Sequence, residues 1–372
     1  MAEPVRILHL HSTFSLGGKE ARAVRLMNAL GEAAHHSVLS AVPDAIGARE
    51  AIDPAVRVAF PKDAPPLAGR LSIARYRALA AYMRGFDLVL SYNWGAMDGV
   101  MARRLLDGPP LIHHEDGFNE DEAERLNTAR NLFRRAAFPA AERIIVPSVH
   151  LEEIALRHWR QPRGRVLRIP NGIPVGHYTD APRADAIPGF VRQPGEVVIG
   201  TVAGLRAVKD LPRLVRALAR LPSHVRLIIV GEGPEREAIA AEAARLGVAD
   251  RVLLPGFLDR PHRFVGHFDI FALSSLSEQF PISVLEAMAA GLPIVSPDVG
   301  DVAAIVAEPN RPFIAADETD FRHAFDQLCR DSALRGHIGA ANRERARARF
   351  DEDAMITAYR ALYARAAGRE TL

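Results

Sequence analysis

The sequence predicts an α/β protein made of two doubly wound domains that face each other across a cleft. Three observations lead there. At 372 residues the chain is long for one domain and comfortable for two of about 170–190 residues each. Short, nearly continuous apolar runs alternate with helical patterns along its length, as expected of parallel sheets covered on both faces. Residues 169–195 are rich in Pro, Gly and Asp and read as a linker between two such series.

The first series opens with a strand at Val5–Leu10, a loop, and a helix at Lys19–Leu30 closed by Gly31. Further strand-like runs are Ser37–Val42, Val56–Phe60, Leu88–Ser91, Leu111–His114, Arg143–Pro147 and Val166–Ile169. Helical stretches lie near Leu71–Arg84, Ala96–Leu106, Glu120–Ala137 and Val149–Trp159. The second series has strands at Val197–Val202, Val225–Val230, Val252–Leu254, Phe268–Leu273, Ile294–Ser296 and Phe313–Ala315. Its helices are expected near Leu211–Arg220, Glu235–Leu246, Pro281–Ala290, Asp320–Cys329 and Ala333–Arg349. A last amphipathic helix, Glu352–Ala367, comes after the second sheet is complete.

Composition narrows the function classes. With 48% hydrophobic and 25% charged residues, the chain is an ordinary globular one. A net charge of +2 gives no reason to expect nucleic acid. Residues 1–170 carry 23 Lys/Arg against 19 Asp/Glu and the rest 24 against 26, so the first half is the more basic. Clustered arginines there suit an anionic acceptor or an anionic membrane surface, although solvated helix faces explain them as well. The lone Cys329 excludes an internal disulfide and falls in an apolar helical pattern with Phe325 and Leu328. There is no apolar run long enough to span a bilayer, and the N-terminus leads straight into a strand. The expectation is a soluble cytoplasmic protein, with peripheral association at the inner membrane face left open.

Ligands of open α/β sheets bind beyond the carboxyl ends of the strands, so loops running from strand to helix hold the candidate site. The richest is Ser274–Asp298, SSLSEQFPISVLEAMAAGLPIVSPD. Pro281 suits the first helical position and Gly291 the residue past the helix end, with Pro293 barring continuation. The first turn then offers the N–H groups of Ile282, Ser283 and Val284 to an anion such as phosphate. Glu278 and Glu286 bracket that turn, and Glu286 shares a helical face with Ser283. A carboxylate accepts two hydrogen bonds side by side, which suits the vicinal hydroxyls of a ribose. A solvated surface helix would explain either acid alone.

Four more loops join it. His11–Lys19, HSTFSLGGK, brings Gly17–Gly18 to a helix start without a GxGxxG or Walker pattern. Ile112–Phe118, IHHEDGF, crowds His113, His114, Glu115 and Asp116 at a strand end. Adjacent residues on a strand point to opposite sides, so this spacing suits a sugar-contacting acid or imidazole better than a metal. Gly200–Asp210 places Arg206 and Lys209 just before a helix, where cations oppose the helix dipole unless they meet an anion such as a diphosphate. Val230–Pro234, VGEGP, allows close approach of a nucleoside at Gly233, or is a plain turn.

In order, the paired glycines, the basic pair, GxGP, the E-x7-E spacing from Glu278 to Glu286 and AMAAGLPIV resemble the family 4 retaining glycosyltransferases of the GT-B fold. The resemblance covers essentially the whole chain, and IPNGI at Ile169–Ile173 is similar to that family's domain linker. It implies an acceptor-binding domain at 1–172, a nucleotide-sugar-binding domain at 173–351, and a helix at 352–372 that crosses back to the first. It also implies Glu286 on the ribose, with the Ile282 and Ser283 amides, Arg206 and Lys209 on the diphosphate. Gly233 would lie at the nucleoside, Glu278 near the transferred sugar, Gly18 by phosphate and acceptor, and Gly17 and His113 on the acceptor side. No cofactor or metal is expected beyond a nucleotide-diphosphate sugar, UDP-sugar being favoured over GDP- or ADP-sugar. The acceptor would be a glycan, a lipid-linked molecule or a small molecule.

Two positions depart from the pattern. The family usually has Arg five residues before the Lys, where this chain has Gly204, and Arg206 stands three before. Many members carry His where this chain has Asp116, so either Asp116 or His114 would contact the reacting sugar. The expected activity is retaining glycosyl transfer in surface glycan, polysaccharide or glycolipid synthesis. The alternatives are a nucleotide-sugar epimerase or hydrolase on the same fold, or a non-catalytic nucleotide-sugar-binding protein.

Overall fold

The computed structural model describes residues 3–372 apart from 16, 71, 119–121 and 123–125. The chain divides into two compact units, Met1–Asn171 with Ala354–Leu372, and Gly172–Asp353.

In unit 1 the elements run β1 (Val5–His11), α1 (Gly18–Leu30), β2 (Ala34–Ser40), β3 (Val58–Ala59), α2 (Ile73–Met83), β4 (Leu88–Tyr92) and α3 (Met97–Leu105). Then follow β5 (Leu111–His114), α4 (Thr128–Ala137), β6 (Arg143–Val146), α5 (Val149–Arg157) and β7 (Val166–Arg168). The strands form one parallel sheet in the order β3-β2-β1-β4-β5-β6-β7. The order reverses between β1 and β4, and such a switch point opens a crevice at the carboxyl edge. One face of the sheet packs Leu8, Leu10, Val89, Leu111 and Ile144 against Leu79, Met83, Val100, Leu151 and Ile154. The other face packs Ile7, Leu90, Ile112 and Ile145 against Leu26 of α1 and against Met355, Tyr359 and Tyr363. Those last three belong to α12 (Glu352–Ala366), so the helix furthest along the chain completes the first unit's core.

Unit 2 runs β8 (Val197–Val202), α6 (Leu211–Leu218), β9 (Val225–Val230), α7 (Arg236–Arg245), β10 (Val252–Gly256), β11 (Ile270–Ala272) and α8 (Ile282–Ala289). It ends with β12 (Ile294–Pro297), α9 (Val302–Ile305), β13 (Ile314–Ala315), α10 (Glu318–Arg330) and α11 (Ser332–Arg349). Its sheet is also parallel, ordered β10-β9-β8-β11-β12-β13, with the switch point between β8 and β11. Apolar clusters cover both faces, which is why the strands read as continuous apolar runs.

Differences from the sequence reading have local causes. The helix expected at Glu120–Ala137 starts at Thr128, because the Asn127 side chain caps it by accepting from Arg130 N–H at 3.1 Å. Most of the expected first turns fall outside the described residues. Pro281 is the N-cap of α8 in an extended conformation (φ −70°, ψ 113°) rather than its first helical residue. The short helix α9 was not expected, its four residues being below what periodicity can register.

Candidate active site

In unit 2 the loops after β8 and β11 are laced together. Ser274 Oγ donates to Lys209 O at 2.7 Å, and Leu276 N–H donates to Val208 O at 2.9 Å. This brings the Lys209 ammonium onto Glu278 Oε1, which also accepts from Ser275 Oγ at 2.7 Å. The pair is mostly shielded, with side-chain exposures of 15% and 12%. From behind, Asp301 N–H donates to Gln279 O at 3.1 Å, and a Cβ on Gly300 would stand 2.4 Å from Glu278 O, so that backbone is closely buttressed.

At the start of α8 the Val284 N–H already donates to Pro281 O at 3.1 Å. Among the described residues no partner is found for the Ile282 and Ser283 N–H groups, so the turn offers two amides where three were expected. Glu286 is 8% exposed on the same short helix. Arg206 is exposed and makes no ion pair among the described residues, whereas Lys209 is engaged. The glycines of VGEGP have an internal reason to be there. Leu205 donates to Glu232 O and accepts from Glu235 N–H, and a Cβ on Gly233 (φ +153°) would meet Leu205 O at 2.4 Å. The close approach at Gly233 is thus to the chain itself.

In unit 1, Gly17 is the N-cap of α1 and Gly18 its first residue. Lys19 pairs with Glu20 and donates to Thr13 O at 3.2 Å; burial pushes the Glu20 carboxyl up, against the pull of Lys19. At the end of β5, His113 and His114 are both 0% exposed. His113 Nδ1 lies 2.9 Å from Ser91 Oγ, and its ring packs on Phe138 with centroids 4.9 Å apart. His114 Nδ1 lies 3.2 Å from Ser91 O, a carbonyl that can only accept, so this nitrogen carries the hydrogen. Burial holds His114 well below the ordinary imidazole value, so the ring is neutral and Nε2 accepts from the Tyr363 hydroxyl at 2.9 Å. Both rings, His113 expected on the acceptor side and His114 at the sugar, are thus enclosed by other side chains in this structure.

Asp116 is different. Its side chain is 14% exposed, and Arg22 of α1, itself 3% exposed, grips both carboxylate oxygens, with Nη2 donating to Oδ2 at 2.8 Å. The Asp116 N–H donates to Asn93 Oδ1 at 2.8 Å. Among the described residues no three His, Cys, Asp or Glu side chains form a metal-binding group, and no helix is long and apolar enough to cross a membrane.

Two family profiles match. One, described as Glycosyl transferases group 1, covers residues 184–345, and the other, Glycosyltransferase Family 4, covers residues 16–177. The chain belongs to the family 4, group 1 glycosyltransferases. Among relatives of this family 4 chain, N-acetyl-alpha-D-glucosaminyl L-malate synthase of Bacillus anthracis is 28% identical over 45% of this chain and 45% of the relative. D-inositol 3-phosphate glycosyltransferase of Mycobacteroides abscessus is 31% identical over 62% of this chain and 56% of the relative. The chain thus spans about half the length of the curated relatives it matches. The structure of Anabaena HepE in complex with UDP superposes with a TM-score of 0.80 at 20% identity, over 97% of this chain and 100% of that one. The two share the GT-B fold.

Reading the sequence missed Arg22, Asn93 and Ser275. Ser275 stands three residues before Glu278 in the quoted motif and was within reach of local reasoning. Arg22 looks like a solvated helix residue until Asp116, 94 positions on, is placed beside it.

Proposed function

We propose that this family 4 chain transfers a sugar, with retention of anomeric configuration, from a nucleotide-diphosphate sugar to a hydroxyl acceptor during surface glycan, polysaccharide or glycolipid synthesis. The observation that carries the reading is in unit 2. Lys209, Glu278 and the open Ile282 and Ser283 amides gather where the loops after β8 and β11 meet the start of α8. Donor binding would exchange the Lys209–Glu278 ion pair for two contacts. The ammonium would turn to the diphosphate, joined by Arg206, and the carboxylate would be freed for a sugar hydroxyl. Glu286 would hold the ribose. Unit 1 would supply the acceptor side, with Asp116 as the acid that meets the reacting sugar.

Retention with acceptor attack and phosphate departure on one face lets the leaving phosphate take the acceptor proton. The protein's part is then positioning, together with stabilising the charge that develops on the diphosphate. The relatives' names, for synthesis of a glucosaminyl malate and for glycosylation of an inositol phosphate, support transfer to a small hydroxylated acceptor. HepE was solved with UDP and with UDP-glucose, which supports UDP as the donor nucleotide.

The test is thermal shift with UDP, GDP, ADP and their sugars, followed by product analysis. A shift with UDP and its sugar, and transfer without accumulation of free sugar, is expected. Free sugar formed at the same rate with and without acceptor would point to a hydrolase, and no shift with any nucleotide to a non-catalytic protein.

A further inference from the structure

Arg22 has no place in the donor chemistry, yet the fold commits it fully. It lies on α1, is 3% exposed, and both of its terminal nitrogens are engaged, while Nε has no partner among the described residues. Both terminal nitrogens go to the Asp116 carboxylate; Nη1 also donates to Asn171 Oδ1 at 2.9 Å, and the Tyr359 ring of α12 lies 5.7 Å from the guanidinium carbon. Asp116 is also held from its own backbone through Asn93, which is set at φ 54° and donates its N–H to His114 O at 2.8 Å. The carboxylate is thereby fixed in position and direction, with only a small part of its surface open. A bidentate fork fixes a plane as well as a distance, which a lysine in the same place would not do. A buried ion pair is a poor device for stability, since apolar residues of similar size often serve as well, so its presence here asks for another reason.

We propose that Arg22 is a positioning residue for the transfer reaction: it aims the Asp116 carboxylate at the reacting sugar, with Asn171 as its second anchor. This rests on the reading of Asp116 given above.

The test compares Arg22→Lys, Arg22→Gln, Asp116→Asn and the double variant Arg22→Gln/Asp116→Asn by steady-state kinetics with UDP-sugar varied up to saturation. Asp116→Asn should lower kcat. Arg22→Gln should lower kcat by about 10- to 100-fold, as expected when a reacting group is displaced by about an ångström. Arg22→Lys should recover little of that loss, because it restores charge without the fork. The KM for the donor should change less than kcat in all of them, since the diphosphate and ribose contacts proposed for unit 2 are retained. The double variant should be no slower than Asp116→Asn alone. Wild-type kcat in Arg22→Gln or Arg22→Lys beside a slow Asp116→Asn would overturn the positioning role, and so would multiplicative losses in the double variant. A silent Asp116→Asn would instead sink the reading of Asp116, and the positioning role with it. Should Arg22→Gln fail to fold, shown by circular dichroism, Arg22→Lys decides.

Discussion

Lys209 is one of only three lysines in the chain, and its ammonium rests on Glu278 within a loop held by Ser274. Because Lys209 lies on a loop and not in a core cluster, Lys209→Ala should lower the melting temperature only modestly, through the Glu278 carboxylate left without its partner. It should lower turnover about 10²- to 10³-fold, the usual loss when one preorganised group facing developing charge is removed. Near wild-type turnover would remove the diphosphate assignment. At this scale the sequence was legible where chemistry is local. The Glu278-to-Glu286 spacing and the basic pair before a helix are visible within a few residues. At IHHEDGF it was legible only in part. A sugar-contacting acid or imidazole is expected there, whereas β5 is an interior strand covered on both faces and both histidine rings are buried. What covers His114 is Tyr359 and Tyr363, about 245 residues later, and no pattern near the motif announces that.

Among the elements, α8 is held by contact that only glycine permits. Gly339 in α11 lies so close that a Cβ there would stand 1.9 Å from Gly291 O, at the end of α8. In an exposed helix, Gly→Ala gains about 1 kcal/mol. Here the sign reverses, since the added methyl would push α11 off the helix that carries Ile282, Ser283 and Glu286. We expect Gly339→Ala to cost about 1–3 kcal/mol, as overpacking does, read from a urea unfolding midpoint. A gain in stability would mean the helices separate freely. Element order and type were readable because parallel strands and their helices differ in length and period. Ends were less so, for caps such as Asn127 and the extended Pro281 are decided by single hydrogen bonds and dihedrals rather than by periodicity.

Over the whole molecule, the two units differ in how they answer to acid. Every buried histidine among the described residues, His9, His11, His36, His113 and His114, is in unit 1. Burial holds His9, His11 and His114 well below the ordinary imidazole value and His36 down at about 4. An unfolded imidazole takes up a proton below about pH 6.5, while these folded ones do not. The unfolded state then binds more protons, so stability is fully present above that pH and is lost as pH falls towards the folded values. Each such group contributes a slope of up to about 1.4 kcal/mol per pH unit in that range. Calorimetry at pH 8 and pH 5.5 should show the unit 1 transition moving down by far the more; equal shifts would contradict this. The architecture of two doubly wound units was foreseeable from alternation along the chain. The histidine-lined core was not, because it depends on which strands become neighbours. One more consequence concerns the order in which the protein is made. Since α12 closes the first unit's core, the first sheet leaves the ribosome with one apolar face covered only in part, by α1, and 172–353 must be translated before the rest of its cover appears. At about 5–20 residues per second, that face waits roughly ten to forty seconds, and during that interval the nascent chain is most dependent on chaperones.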